Sequence, residues 1–360
     1  MTKAMRSAPL TIMAAFALLW ACTGQPGKVT EQATAFSADT GAIRPVVITD
    51  TVAHDTDDPA IWINPADPAK SLIIGTDKDS DGGLYVFGLD GKIQEDKTVR
   101  NLKRPNNVDV AYGLVLGGKP VDVAVATERE TNSIRVYRLP DMKEVAPGGL
   151  PVFEGDSLRA PMGVALYTRP SDHAIFAIIS RKDGPSDGYL WQYRLSDNGK
   201  GQVTARLVRK FGKYSGKKEI ESVAVDNELG YVYYSDEQVG VRKYYASPDS
   251  TGAELALIPA AAYTEDNEGI SIYKSGDKTG YILVSDQSAN QFHIYRREGA
   301  RNDPHRHEAV KIVRVSTQQS DGSEVTALPL DPRFPKGLFV AMSEGKVFHY
   351  YSFADLVGEE

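Results

Sequence analysis

Hydrophobic and polar residues follow one another in a pattern that repeats six times along this chain. Each repeat has a short apolar strand, a turn, a second apolar strand with a polar or charged end, and a third strand rich in tyrosine. Glycine, aspartate, asparagine and proline bound these runs, and no amphipathic helix of any length interrupts them. The pattern therefore predicts an all-β protein.

The six repeats are best explained as blades around an axis. One small twisted sheet cannot bury both faces until its neighbours close a ring, and the spacing of the copies lies at the long end of what propeller blades use. We therefore expect a single domain over residues 46–357, a six-bladed β-propeller with four-stranded antiparallel blades. The first strands open near Asp58, Asn107, Met162, Glu221, Glu268 and Glu324.

The second strand of each repeat ends in residues that divide by sign along the chain. The first three blades end in the cations Lys78, Arg129 and Lys182, and the last three present Glu237, Asp286 and Glu344. Further acids lie at or just before the first strands, namely Asp57, Asp58, Glu221, Asp266, Glu268, Asp321 and Glu324. A single charged residue at a strand end is usually a solvated turn residue. Six matched positions segregated by sign instead predict one charged mouth.

Carboxylates that converge at such a mouth need a counter-charge. A crowded cluster either raises its own pKa values or recruits a divalent metal, and oxygen ligands without nearby histidine or cysteine favour calcium over zinc or copper. Phosphate is the candidate anion, because arginine and lysine bind it through charge-assisted hydrogen bonds. The pattern therefore predicts calcium on one side of the mouth and a phosphoester beside it.

The N-terminal region predicts export. Lys3 and Arg6 precede the apolar stretch 10–20, which is too short to span a bilayer, so residues 1–21 have the form of a signal peptide. Leu19-Trp20-Ala21-Cys22 resembles a bacterial lipoprotein signal, and Cys22 is the only cysteine. We expect Cys22 to be lipidated and residues 22–45 to form a flexible tether. The protein would then be anchored to the bacterial envelope, in the periplasm or at the outer membrane, or secreted.

Net charge excludes one class of partner. The formal net charge is −7, and removal of residues 1–21 leaves 39 basic and 48 acidic residues. This balance argues against nucleic acid, whose phosphates require a basic face, and fits a cation-binding protein with a small-molecule substrate. A closed ring needs no partner to cover its sheet edges, so we expect a monomer.

Several segments resemble those of the β-propeller phytases. They are DDPAIW (57–62), the T-D-K step that ends at Lys78, NNVDVAYG (106–113), Glu128-Arg129, RKDG (181–184), DNEGISIY (266–273) and SDG (320–322). The resemblance runs in order through residues 46–357. It implies a six-bladed propeller that binds several calcium ions and releases phosphate from myo-inositol hexakisphosphate, with a cleavage subsite beside an affinity subsite.

The resemblance also implies residue roles. Lys78, Arg129 and Lys182 match the phosphate-contacting cations. The carboxylates around the active-site calcium ions match Asp57, Glu221, Glu237, Asp266, Glu268 and Asp321, and a structural calcium falls at Asp58, Pro59 and Val108. Two departures stand out. Met162 replaces a phosphate-contacting tyrosine, and residues 315–320 lack an acidic calcium ligand of the family, for which Glu324 is the candidate substitute.

The mechanism expected from these residues is direct attack of water on phosphorus, without a covalent enzyme intermediate. Lys78, Arg129, Lys182, Glu221 and Glu237 are the candidate catalytic residues, and calcium would neutralise the substrate and lower the pKa of a bound water. The motifs of serine hydrolases, Walker-type NTPases, zinc proteases and histidine phosphatases do not occur.

Two alternatives remain at this point. A calcium-dependent sugar lactonase-like propeller would need one axial metal and little cationic charge, which Lys78, Arg129 and Lys182 argue against. A noncatalytic, surface-anchored binding propeller is the other alternative, because a fold alone does not supply a function.

Overall fold

The computed structural model describes residues 41–358 and contains six antiparallel sheets, which confirms the predicted six-bladed β-propeller. Among these residues, the only α-helix is α1 (Phe353–Val357). Short 3₁₀ helices lie at Pro68–Lys70, Arg129–Thr131, Ala260–Ala262 and Gln287–Ala289. None of the helices in this part of the chain is long and apolar enough to cross a membrane.

The strands of the first half follow the chain blade by blade. The first strand, β1 (Val47–Ile48), belongs to the last blade. Blade 1 contains β2 (Thr56–Trp62), β3 (Leu72–Asp77), β4 (Gly82–Phe87) and β5 (Val99–Leu102). Blade 2 contains β6 (Pro105–Leu116), β7 (Lys119–Glu128), β8 (Ser133–Arg138), β9 (Lys143–Glu144) and β10 (Leu150–Pro151). Blade 3 contains β11 (Pro161–Thr168), β12 (Ile175–Arg181), β13 (Asp187–Asp197) and β14 (Val203–Lys213).

The second half repeats the same order. Blade 4 contains β15 (Val223–Asp226), β16 (Tyr231–Asp236), β17 (Gly240–Tyr245) and β18 (Ala256–Pro259). Blade 5 contains β19 (Asn267–Gly276), β20 (Thr279–Asp286), β21 (Gln291–Arg296) and β22 (Ala309–Arg314). Blade 6 contains β23 (Ser323–Thr326), β24 (Leu338–Ser343) and β25 (Val347–Ser352), and β1 supplies its fourth strand.

The ring closes by hydrogen bonds between the two ends of the described chain. Val47 in β1 pairs with Tyr350 in β25 in antiparallel register. Backbone hydrogen bonds of 2.9 Å also join Ile43 to Arg314 and to Ser316, so contacts with the propeller reach into the segment predicted to be a tether. The predicted signal peptide, Cys22 and the tether up to residue 40 lie outside the described residues.

The hydrophobic core is divided into six clusters, each lying between two neighbouring blades. Val136 of blade 2 and Trp191 of blade 3, for example, belong to the same cluster. In the same way, Phe348 of blade 6 packs with Phe87 of blade 1, with ring centroids 5.9 Å apart. Each sheet therefore buries its two faces against different neighbours, which is the physical reason why the repeats form a closed ring.

Bulges at the start of the inner strands prepare the functional site. The pairing register shifts between Thr56 and Pro59 in β2, and equivalent shifts occur at 105–108 in β6, 161–164 in β11 and 267–270 in β19. A bulge inserts an extra residue and changes the direction of its side chain. The inner strands can therefore present polar side chains at one rim of the ring instead of continuing their regular alternation.

Candidate functional site

One rim of the ring holds a first cluster of three carboxylates around a lysine. Ligand oxygens of Asp57, Glu221 and Asp321 lie within 4.8 Å of one another. The Lys78 ammonium nitrogen Nζ lies 2.7 Å from Asp57 Oδ1, 3.4 Å from Asp321 Oδ2 and 3.8 Å from Glu221 Oε2. These residues come from three different blades, so ring closure brings together four residues predicted from the sequence.

Neutral side chains complete this first cluster. Asn106 Nδ2 donates a 2.8 Å hydrogen bond to Asp57 Oδ2, and Gln287 Nε2 donates one to Asp321 Oδ1. Asn106 is supplied by the bulge of β6, whereas Gln287 directly follows β20. The carboxylates are thus fixed by amide donors as well as by Lys78. Only 14% of the Lys78 side chain is exposed.

A second cluster, formed by Glu237, Asp266 and Glu268, lies beside the first. Their ligand oxygens also lie within 4.8 Å of one another. Lys218 Nζ lies 2.6 Å from Asp266 Oδ2, 3.0 Å from Glu237 Oε2 and 3.8 Å from Glu268 Oε1. The charge of Glu221 in the first cluster contributes to the raised pKa values of Glu237 and Glu268, although burial is the larger cause. The two clusters therefore act electrostatically on each other.

The remaining predicted cations lie on the other side of Glu221. Arg129 Nη2 is 3.9 Å from Glu221 Oε1 and also contacts the sulfur of Met162. Lys182 Nζ is 2.6 Å from Glu219 Oε1, and Glu219 Oε2 is 3.7 Å from Arg129 Nη2. At the position where the resemblance implies a tyrosine hydroxyl, this chain thus has a thioether that packs against the guanidinium.

Protonation is strongly perturbed in this mouth. Burial raises the pKa of Glu221 and of Glu268 above their ordinary values, and it raises the pKa of Glu237 to about 8. Burial opposes the charge of Lys78, but the carboxylates of Asp57, Glu221 and Asp321 raise the pKa of this lysine above its ordinary value. The mouth therefore contains more carboxylate than its own cations neutralise.

The second cluster has the ligands that a hard divalent cation requires. Its three residues are all more than nine-tenths buried. Glu237 Oε1, Asp266 Oδ1 and Glu268 Oε2 are buried without a hydrogen-bond partner in the part of the chain that the structure describes, and such atoms are costly to leave unpaired. Ionisation of all three carboxylates, which burial opposes, would give the cluster and its one ammonium a net charge of −2. Oxygen ligands of this kind suit calcium or magnesium better than softer metals.

Asp58, Pro59 and Val108 lie in a different place, on the wall of the central channel. This channel has a volume of about 170 Å³, and Asp58 Oδ2 accepts a 3.1 Å hydrogen bond from the Val108 backbone N–H. Burial raises the pKa of Asp109 to about 6 and that of Glu324 to about 8, and both residues line the same channel. Asp58, Pro59 and Val108, to which the resemblance assigns a structural calcium, therefore lie close together in the structure.

Three sequence-based expectations about the mouth need correction. Glu324 lies in the channel and belongs to neither carboxylate cluster, so it does not substitute for the missing acidic ligand near Asp321. Asp286 accepts hydrogen bonds from the Thr264 backbone N–H, at 3.1 Å, and from Gln291 Nε2, at 2.9 Å, so it fixes a loop. Glu344 is exposed and its side chain makes no hydrogen bond or ion pair within residues 41–358.

The sequence reasoning also missed four residues of the mouth, namely Lys218, Glu219, Gln287 and Asn106. The first two belong to the loop between β14 and β15, two or three positions before Glu221. The charged run Lys217-Lys218-Glu219 was a usable signal, because only Ile220 separates it from the predicted site residue Glu221. Gln287 is the second member of the blade 5 pair Asp286-Gln287, and in blades 1–4 too the second member of the pair reaches the mouth.

The fold and the site together define a propeller whose mouth combines carboxylate clusters with cations, and comparison with known proteins identifies the family. A family model described as "Phytase" matches residues 6–349. A protein named 3-phytase, from Bacillus subtilis (strain 168), is 32% identical over 305 residues, which are 81% of this chain and 76% of that protein. The chain belongs to the phytase family.

Proposed function

We propose that this protein is a calcium-dependent phytase that hydrolyses myo-inositol hexakisphosphate to lower inositol phosphates and inorganic phosphate. The observation that supports the proposal most directly is that Lys78 and Arg129 both contact Glu221 at one mouth. Lys78 Nζ lies 3.8 Å and Arg129 Nη2 lies 3.9 Å from a Glu221 carboxylate oxygen, and the two carboxylate clusters lie around them. Family membership and the name of the Bacillus relative agree with this substrate.

The cations would bind the phosphate that is cleaved. Lys78 is held rigidly between carboxylates, and Arg129 is held between Glu221 and the Met162 sulfur, so both are oriented before the substrate arrives. Lys182 is more exposed and suits a neighbouring phosphate of the same ring. Preorganised cations of this kind stabilise the charge that develops on the phosphoryl oxygens.

Calcium, when bound by the two carboxylate clusters, would neutralise phosphate charge and favour ionisation of water. Asp57, Glu221 and Asp321 would hold it in the first cluster and Glu237, Asp266 and Glu268 in the second. Glu221 and Glu237 would orient the attacking water and accept its proton. Water would add to phosphorus as the ester P–O bond breaks, and the proton that the carboxylate accepts from this water would balance the proton taken up by the departing inositol oxygen.

Other parts of the proposal concern stability and location. Asp58, with the backbone carbonyls of Pro59 and Val108, would hold a structural calcium at the channel wall. Lipidation at Cys22, after removal of residues 1–21, would anchor a monomeric enzyme to the bacterial cell envelope. Radiolabelled fatty-acid incorporation into the wild type, absent in Cys22→Ser, would test the anchor.

Phosphate release separates this function from the alternatives. The wild type should liberate inorganic phosphate from calcium-phytate much faster than from para-nitrophenyl phosphate, and it should not open a sugar lactone. Arg129→Ala should lose most of the phytate activity, whereas the matched control Glu344→Gln, in which an exposed acid away from the clusters is changed, should retain it. Wild-type turnover in Arg129→Ala would rule out the assigned role, and a protein inactive on every substrate would support a binding propeller.

A further inference from the structure

Two adjacent side chains in the loop between β14 and β15 contact groups of opposite charge in the mouth. Lys218 places its ammonium among the Glu237, Asp266 and Glu268 carboxylates, at 2.6–3.8 Å. Glu219 places its carboxylate against Lys182, at 2.6 Å, and near Arg129, at 3.7 Å. A cation thus sits in the acidic cluster and an anion sits between the two basic side chains, and both belong to one short segment.

We propose that the side chains of Lys218 and Glu219 occupy the positions of the two ligands of this mouth when those ligands are not bound. A divalent cation would displace Lys218, and a phosphate group would displace Glu219. This inference rests on the proposed function, because it assumes that calcium and a phosphoester bind there. It assigns a competitive role to side chains that neither bind substrate nor react.

The chemistry of each contact matches the ligand that it would replace. Lys218 contributes a single positive charge and leaves Glu237 Oε1, Asp266 Oδ1 and Glu268 Oε2 without a hydrogen-bond partner among residues 41–358, so the ammonium satisfies the cluster only in part. A divalent ion carries twice the charge of the ammonium group and coordinates a larger number of oxygen ligands. Glu219 offers two carboxylate oxygens to cations that are able to bind phosphate oxygens instead.

Lys218 also has a route out of the cluster, which Lys78 lacks. Lys218 is 40% exposed and follows the exposed residues Ser215, Gly216 and Lys217, whereas only 14% of Lys78 is exposed at the end of β3. A partly solvated ion pair on a loop is weak compared with the ionic bonds of a metal site. Because the two residues are consecutive, release of Lys218 should also loosen the contact of Glu219 with Lys182.

Calcium binding measures the first half of the proposal. By linkage, removal of a side chain that calcium must displace raises the affinity for calcium. Titration calorimetry with calcium alone should therefore show roughly tenfold tighter binding at one site in Lys218→Met than in the wild type. The control Lys217→Met changes a neighbouring exposed lysine and should bind calcium like the wild type, because the only hydrogen bond of its side chain within residues 41–358 is to the Gln238 carbonyl, at 3.5 Å. An unchanged or weaker affinity in Lys218→Met would overturn the inference.

Chemical labelling tests the same displacement in the unmodified protein. An amine-reactive reagent should label Lys218 slowly in chelator and several-fold faster with calcium, while labelling of Lys217 stays constant; fragment-ion mass spectrometry separates the two adjacent lysines. Equal labelling of Lys218 under both conditions would contradict displacement, even if Lys218→Met failed to fold.

Sulfate binding tests the second half. With calcium present, Glu219→Gln should bind sulfate, a stand-in for phosphate, several-fold more tightly than the wild type, because no carboxylate has to be displaced; Glu344→Gln should match the wild type. Equal sulfate affinities of Glu219→Gln and the wild type would mean that Glu219 does not compete with the anion. If the wild type binds calcium and hydrolyses phytate while all three tests fail, only this inference is wrong. If the wild type binds no calcium, the proposed function fails as well.

Discussion

The two carboxylate clusters of the mouth contain the same number of acids and cations and differ in how their lysine is held. Each combines three acids and one ammonium. In the first cluster, Lys78 directly follows β3, is largely buried, and is accompanied by the amide donors of Asn106 and Gln287. In the second, Lys218 comes from a loop, is substantially exposed, and leaves three buried oxygens without partners among the described residues.

Under the proposed function, this difference predicts different roles for two clusters of equal charge. A cation that follows a strand end and contacts carboxylates fixed by amide donors is preorganised to bind a reacting phosphoryl group. A cation on an exposed loop, in a cluster that it satisfies only partly, is suited to be replaced. We therefore regard Lys78 as a permanent part of the substrate site and Lys218 as a temporary counter-ion.

The largest expected effect is the loss of the fixed cation. Lys78→Met should lower kcat for phytate about 10²- to 10³-fold, because it removes a preorganised charge from the phosphoryl group. Initial rates at saturating calcium, with circular dichroism to verify the fold, measure this effect. Lys217→Met is the matched control and should stay near wild-type activity. If Lys78→Met kept more than half of the wild-type rate, Lys78 would be no more important than a solvated lysine.

Removal of calcium should have the next largest effect, on thermal stability. A ligand that binds only the folded state at 100 times its Kd adds about 2.7 kcal/mol to the free energy of unfolding, and we expect a chelator to lower Tm by roughly 5 °C or more. Differential scanning calorimetry in calcium and in chelator measures the shift. Glu268→Gln, which removes one ligand from the second cluster, should show a smaller shift, and a Tm independent of calcium in the wild type would argue against any structural metal.

The pH dependence of the metal-free protein should be weaker but distinctive. The pKa of Glu237 is raised from its ordinary 4.5 to about 8, so the folded state binds this proton more tightly than the unfolded state. Its stabilising contribution is complete below about pH 4.5 and disappears as the pH rises through about 8. Urea unfolding in chelator at several pH values should show this decline. Glu237→Gln should show less of it, and identical profiles would mean that Glu237 does not hold the proton.

The smallest expected effects compare the second members of the last two strand-end pairs. Gln287→Ala should weaken calcium binding a few-fold, because Asp321 loses an amide donor. Glu344→Gln should have no measurable effect, since this exposed side chain has no partner in the part of the chain that the structure describes. Calorimetric calcium titrations of both variants test the contrast, which would disappear if Glu344→Gln weakened binding as much as Gln287→Ala.

Local sequence was sufficient for much of the fold. The alternation of apolar residues defines strands, and the repeat of that alternation requires neighbouring sheets to cover one another, so the all-β propeller could be predicted. The positions of Lys78, Arg129 and Glu221 at strand ends could be predicted in the same way. These features depend on residues that are close together in the chain. The repeat also makes the strand pattern recognisable where one copy is irregular.

Other features depended on contacts between distant residues. Asp57 and Asp58 are adjacent in sequence, yet Asp57 belongs to the mouth and Asp58 to the channel, because a bulge in β2 changes the direction of successive side chains. Glu324 looked equivalent to Asp321 and lies in the channel instead. Neither outcome follows from residue type or spacing alone.

The sequence by itself determined that this chain forms six similar sheets and carries acids and cations at their edges. Only the tertiary structure decided which of those charges meet. Lys78 and Asp321 are 243 residues apart in sequence and come within 3.4 Å after β1 closes the ring on β25. Electrostatic energy depends on distances of a few ångströms, and such distances are fixed by ring closure, bulges and loop conformation, which no local pattern specifies.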